Sequence, residues 1–218
     1  VIKMDAMMEI DNIGKKFNDQ YILQNIKLTI NKGEMVALVG KSGSGKTTLL
    51  NILGLISAPS SGRYKIKGKS INSINSKQAM ILRRNTIGYL FQNYGLIDDE
   101  TVEWNLRLAY AYKKIPKREQ ELQINQLLNE FQLEGKGKNK VFQLSGGEQQ
   151  RVALIKLIIR DCEIILADEP TGSLDAGNRD LVMERLKDMN KLGKTIVIVT
   201  HDLNVAEKCN RIVELDRM

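Results

Sequence analysis

The sequence predicts an α/β fold with a mostly parallel sheet, an antiparallel β segment at the N-terminus and a helical insertion. Three observations predict it. The runs Met35-Val36-Ala37-Leu38-Val39 and Ile164-Ile165-Leu166-Ala167, with a third over residues 195–199, are short and continuously apolar, as in strands covered on both faces. The first run passes through a glycine-rich turn into a helical stretch, and another helical stretch joins the second run to the third, the alternation that builds parallel sheets. Between residues 98 and 160 the apolar spacing turns helical, as in Trp104, Leu108 and Tyr112 and again in Leu127, Leu128 and Phe131.

Taken in order, residues 8–13 and 26–30 alternate apolar and polar side chains, as half-buried strands do, with a turn at Asn18-Asp19 after the first. Residues 35–39 form a buried strand and residues 46–55 the helix beyond its turn. Pro59 and Gly62 end that helix before a strand over residues 63–66, and residues 87–91 form another. Inside the insertion Pro116 starts a helix, where its missing N–H is tolerated, and residues 135–139 read as a flexible break. The parallel pattern resumes with a strand at 164–167, a helix at 177–191 and strands at 195–199 and 211–215. The expectation is one domain over residues 1–218, with a helical subdomain at about 98–160.

At 218 residues and 42% hydrophobic, the chain can bury a full core, and 27% charged residues suit a folded rather than a disordered protein. No apolar run reaches the roughly 18 residues of a membrane helix. Residues 1–5 lack the long apolar segment and cleavage site of a signal peptide, and those before Met7 read as a leader or an expression remnant. Cys162 and Cys209 are isolated, which predicts a reducing cytosol rather than a disulfide framework. The net charge of +7 suits nucleic acid, an anionic membrane or polyphosphate, and the basic clusters at 113–118 and 136–140 read as solvated faces. Charge alone does not choose among them.

Gly40-Lys41-Ser42-Gly43-Ser44-Gly45-Lys46-Thr47 matches the P-loop pattern at every fixed position and sits between a strand and a helix. That context aims backbone N–H groups and a helix N-terminus at phosphate oxygens. Lys46 supplies positive charge at the terminal phosphates, the Thr47 hydroxyl can bind Mg²⁺, and Thr48 completes the nucleotide-binding set, so the expected core is a P-loop NTPase. The guanine-reading pattern Asn-Lys-x-Asp is missing, since Asn139-Lys140 and Asn190-Lys191 lack the Asp, which points to ATP. Asp168 and Glu169 end a strand too apolar to be exposed. Asp168 lies on the metal side, and Glu169, one residue on, faces elsewhere and can act as general base towards a water.

Leu144-Ser145-Gly146-Gly147-Glu148-Gln149, followed by Gln150-Arg151-Val152-Ala153, resembles the signature motif of ATP-binding-cassette ATPases, and further family elements follow the family's order along nearly the whole chain. The resemblance implies that Gln92 is the Q-loop residue, bridging Mg²⁺ or the attacking water to the insertion. It implies that Ser173-Leu174-Asp175 is the D-loop, that His201 is the switch histidine contacting the γ-phosphate, and that Phe17 stacks on adenine. Ser145 is a natural N-cap, so Ser145-Gly146-Gly147 opens a second helical anion site. One nucleotide cannot occupy both sites of one chain. A head-to-tail homodimer, with each signature set over the partner's γ-phosphate, resolves this. Ile155-Lys156-Leu157 and Asp161-Cys162 depart from the family's usual Ala-Arg-Ala and Pro at these places, positions that pack and orient the helix.

Leu49-Leu50-Asn51-Ile52-Leu53-Gly54-Leu55, Pro59-Ser60-Ser61-Gly62 and the stretch from Arg83 to Ile97 resemble the group serving lipoprotein release, macrolide and antimicrobial-peptide export, and cell-division signalling. The resemblance implies a separate transmembrane permease, a place on the cytoplasmic face of the cell membrane, and most readily export of peptide or other amphipathic cargo. Import and signalling without cargo stay open. A nucleic-acid-handling cassette is the other class, but those carry a coiled-coil insertion or tandem cassettes, and no nucleic-acid partner is expected.

Overall fold

The computed structural model describes residues 5–18, 20–172 and 174–215. Asp19 of the expected turn and Ser173 of the expected D-loop lie outside the described residues. The strands are β1 (Ala6–Phe17), β2 (Gln20–Asn31), β3 (Met35–Val39), β4 (Ser61–Ile66), β5 (Lys69–Ser70), β6 (Ile87–Leu90), β7 (Ile164–Asp168), β8 (Thr195–Val199) and β9 (Arg211–Glu214). The helices are α1 (Lys46–Leu53), α2 (Lys77–Asn85), α3 (Val102–Arg107), α4 (Lys117–Glu130), α5 (Gly146–Arg160), α6 (Ala176–Lys191) and α7 (Leu203–Ala206).

An antiparallel sheet runs in the order β2-β1-β4-β5, and a second sheet runs β6-β7-β8-β3-β9 with every pair parallel. The expected architecture is therefore present. β1 and β2 extend beyond the stretches that alternate in sequence, because register shifts around Ile13 interrupt the two-residue period without ending the pairing. In the parallel sheet both Leu38 of β3 and Asp168 of β7 stand opposite Val199 of β8. The C-terminal ends of the three strands thus lie level, and the segments that follow them meet at one edge, where open α/β sheets bind ligands.

Side chains of the parallel strands alternate between two cores. Ile165, Ala167, Ile196 and Ile198 join Leu106, Tyr110, Phe131 and Leu154 of the insertion. Leu166, Val197, Val36 and Leu38 join Leu49, Leu50, Ile52 and Leu53 of α1 and the inner face of the antiparallel sheet.

The insertion corrects two expectations. Trp104, Leu108 and Tyr112 are all exposed, and the core takes Val102, Leu106 and Tyr110, the same spacing displaced by two residues. α3 stops at Arg107 and tightens into a 3₁₀ turn at Leu108–Tyr110. The break at 135–139 is instead pinned: Lys136–Lys138 makes a 3₁₀ turn, Val102 N donates to Asn139 O at 2.9 Å, and Lys140 bridges to Thr101. Helix 46–55 closes early, at Leu53, with Gly54 as its C-cap and Leu55 at φ 58°. Ile155, Leu157 and Cys162 are buried and Asp161 caps α5 in the left-handed region, consistent with packing positions.

Candidate functional site

The turn between β3 and α1 is shaped by what it must pass. Gly45, the N-cap of α1, has φ 90°, and a Cβ there would lie 2.7 Å from Leu23 Cδ2 and 3.2 Å from Ile22 O. Gly45→Ala is therefore expected to destabilise the fold by about 1–3 kcal/mol, from backbone strain and a clash with β2. A urea midpoint equal to that of the unsubstituted chain would contradict this.

Lys46 is buried, and its ammonium donates to Gly40 O at 2.8 Å and Lys41 O at 2.7 Å. The loop's own carbonyls thus hold a cation at the mouth of a helix, prepared for an anion. Thr47 Oγ1 donates to Asp168 Oδ1 at 3.1 Å across the sheet edge. Burial pushes the Asp168 carboxyl above its usual range, because an enclosed carboxylate loses hydration; the Thr47 hydroxyl and Lys46 charge oppose this, and Glu169 adds to it.

Glu169 leaves β7 with φ 45°, so its side chain diverges from that of Asp168. Its Oε1 accepts from His201 Nδ1 at 2.8 Å. An ionised carboxylate only accepts, which puts a proton on Nδ1 and turns the other ring nitrogen to the open side of a largely exposed ring. Glu169 Oε2 and Ser44 Oγ are buried without a hydrogen-bond partner among the described residues. Such polar atoms persist where a ligand or a functional group uses them.

Ser42, Gly43, Gly45, Lys46, Thr47 and Thr48 line one cavity of about 590 Å³ together with Gln92, Glu169 and His201. This volume suits a small phosphorylated ligand. Gly40, Lys41 and Ser44 belong to the loop but not to the lining, and Asp168 lies behind Thr47. Ile22 and Val199 also line it and carry no sequence motif. Phe17 stands exposed at the end of β1, with Lys15 Nζ 5.0 Å from its ring centre. A second cavity of about 210 Å³ shares Gln92, Glu169 and His201 and adds Leu174 of the expected D-loop together with Tyr94 and Gln150, to which the sequence assigned no role.

Ser145, Gly146, Gly147 and Glu148 line neither cavity, although Gly146 lies against Tyr94 of the second. Ser145 caps α5, its hydroxyl accepting from Glu148 N at 3.3 Å while Glu148 Oε2 accepts from Ser145 N at 2.8 Å. The Ser145 N–H, helped by Lys136, holds the Glu148 carboxyl below its usual range. Gly147 lies against Asn178, where a Cβ would come within 2.7 Å of Nδ2. Asn178 in turn donates from Nδ2 to Asp175 Oδ2 at 2.6 Å and accepts from Arg151 Nη1, and Asp175 caps α6. Gly147, Arg151 and Asp175, the acid of the expected D-loop, are therefore linked through Asn178.

Comparisons with known proteins agree with this geometry. The model of the family described as ABC transporter matches residues 23–172. The chain is 41% identical over 215 residues to the macrolide export ATP-binding/permease protein MacB of Vibrio parahaemolyticus, covering 97% of this chain and 33% of that protein. It is 42% identical over 211 residues to MacB of Campylobacter jejuni, covering 96% of this chain and 33% of that protein. The chain thus spans about a third of the length of the curated relatives it matches. Among solved structures, a dimeric post-hydrolysis state of the ATP-binding cassette MJ0796 bound to ADP and phosphate superposes with a TM-score of 0.87 at 37% identity, covering 95% of this chain and 94% of that one. With its phosphate-binding turn, paired acids and second capped helix in one α/β frame, this chain belongs to the ABC transporter family and is an ATP-binding ATPase cassette of it.

Proposed function

We propose that the cassette works as one half of a head-to-tail homodimer that sandwiches two ATP molecules and drives a membrane-spanning permease for export of amphipathic cargo. The observation that carries the dimer is that one chain builds two phosphate-type helix starts, of which only one opens onto the cavity. The cavity holds Lys46, Glu169 and His201, while the capped start of α5 at Ser145 lines neither cavity. The MJ0796 cassette, to which the chain is similar, is described as dimeric, which supports a dimer here. Glu169 serves as general base, oriented by His201; Lys46 and the loop amides carry the phosphates; Phe17 stacks on the base; Asp175 lies at the dimer seam. Residues 98–160 act as the helical subdomain.

Thr47, Asp168 and Gln92 would hold Mg²⁺. Among the described residues no group of three or more His, Cys, Asp or Glu gathers. One desolvated carboxylate beside a hydroxyl, completed by phosphate oxygens, is the hard-oxygen set that Mg²⁺ takes. Its contribution when bound is to neutralise charge on the transferred phosphoryl group.

The permease is proposed as a separate subunit and the cassette as a peripheral protein on the cytoplasmic face, as the resemblance to the export group implies; among the described residues no helix is long and apolar enough to cross a membrane. The name and length of the MacB relatives favour a second reading, a permease carried on the same polypeptide. Co-purification of a membrane-spanning chain from the native membrane fraction distinguishes the two.

The dimer is tested by mixing two variants, Lys46→Ala and Ser145→Arg, each of which disables both sites of its own homodimer. In a mixed dimer one composite site carries both lesions and the other carries neither. ATPase activity is expected to return on mixing. No rescue, together with a rate strictly proportional to wild-type concentration over a wide dilution series, would exclude shared sites.

A further inference from the structure

Resting on the ATPase reading of this site, we propose that Gln150 is a positioning residue: its carboxamide ties α5 to the Pro170 carbonyl and thereby sets the backbone that aims Glu169. Gln150 is buried, and its Nε2 donates to Pro170 O at 2.8 Å. A buried amide aimed at one backbone carbonyl twenty residues away is a specific tie, since leaving either group unpaired there is unfavourable.

What it ties is a strained segment. Glu169 holds φ 45°, a conformation that a non-glycine residue keeps only where its surroundings over-determine it. On the strand side Glu169 N donates to Val199 O at 2.9 Å, and on the turn side Gly172 N donates to Glu169 O at 3.2 Å. Both contacts are main-chain and local to the sheet edge. Gln150 is the side chain that adds a hold from α5, and it lines the 210 Å³ cavity together with Glu169. It belongs to the second turn of the helix that Ser145 caps, so one hydrogen bond joins the helix start built for an anion to the residue that follows Glu169. Arg151, the next residue, makes a parallel tie to Asn178, which in turn donates to Asp175. A shift of α5 therefore acts on Glu169 through the carboxamide of Gln150.

The test compares Gln150→Met, which keeps the length and removes the donor, with Gln150→Glu, which donates to a carbonyl only while protonated. The Met variant is expected to lose about tenfold in kcat with KM for ATP within about twofold, the mark of an effect on the aim of Glu169 rather than on binding. The Glu variant is expected to approach wild-type kcat at low pH and fall away as pH rises, so that its ratio to wild type declines between about pH 6 and 9. Amide hydrogen exchange at Gly172 and Leu174 is expected to quicken in the Met variant. A kcat unchanged within twofold, a parallel loss of nucleotide binding, a Glu-variant profile parallel to wild type, or unchanged exchange would each overturn the proposal. Absence of turnover in the wild-type chain would instead count against the ATPase reading, and the exchange measurement, which needs no turnover, still decides the tie.

Discussion

The Glu169→Gln protein is expected to bind ATP as the unsubstituted chain does and to hydrolyse it about 10²–10⁴-fold more slowly, since an amide cannot take a proton from water. The site geometry makes the substitution clean. Oε1 already accepts from His201 Nδ1, a contact the amide oxygen can keep, and Oε2 has no partner among the described residues that the new NH₂ would displace. The φ of 45° is open to Gln as it is to Glu, so the fold is expected to melt unchanged. With hydrolysis stalled, ATP-bound dimers should accumulate and elute at twice the monomer mass on a sizing column. A variant that turns over normally, or remains monomeric in saturating ATP, would remove Glu169 from the role of base.

Lys46→Ala is expected to lower ATP affinity on the order of 10²-fold or more, since two or more charge-assisted contacts of about 1.5–3 kcal/mol each disappear with the ammonium. The effect on folding should be far smaller. The carbonyls of Gly40 and Lys41 lose their donor, but the loop borders an open cavity where water can replace it. Binding and stability are thus predicted to separate, with fluorescent-nucleotide titration showing the loss while the urea midpoint moves little. Near-normal affinity would withdraw the phosphate-cradle assignment.

The centre of the parallel sheet was legible because β3, β7 and β8 are buried on both faces and read as nearly unbroken apolar runs, with Gly40 following the first and Asp168 ending the second. The antiparallel segment was legible only in part, because bulges near Ile13 break the alternation that marks a strand. α2 escaped notice for a related reason: among its residues only Ala79 is buried, and its one clear mark is the Ser76 cap. In the insertion the spacing was visible but not its phase, since Trp104 and Leu108 are as apolar as the Leu106 and Tyr110 that the core takes. In the site, the residues that lie in contiguous stretches were found from sequence. Ile22 carries no motif, and Tyr94 and Gln150, though inside stretches read as family motifs, were assigned no role, because each makes its contact with a segment far along the chain, and no local pattern encodes that.

The cap at Ser145 has a consequence for what the start of α5 can bind. The hydroxyl oxygen already accepts the Glu148 N–H, and the Glu148 carboxylate is turned inward onto the Ser145 N–H and Lys136. With one lone pair of the hydroxyl engaged towards the helix, its proton is left to point outward, beside the N–H groups of the first turn that have no intrahelical partner. The outward surface is therefore rich in donors. An incoming oxygen anion finds several protons there, and the charge of Glu148 is drawn onto the Ser145 N–H and Lys136. Discrimination of this kind rests on which atoms face out rather than on net charge, so a glutamate in the motif does not by itself bar an anion.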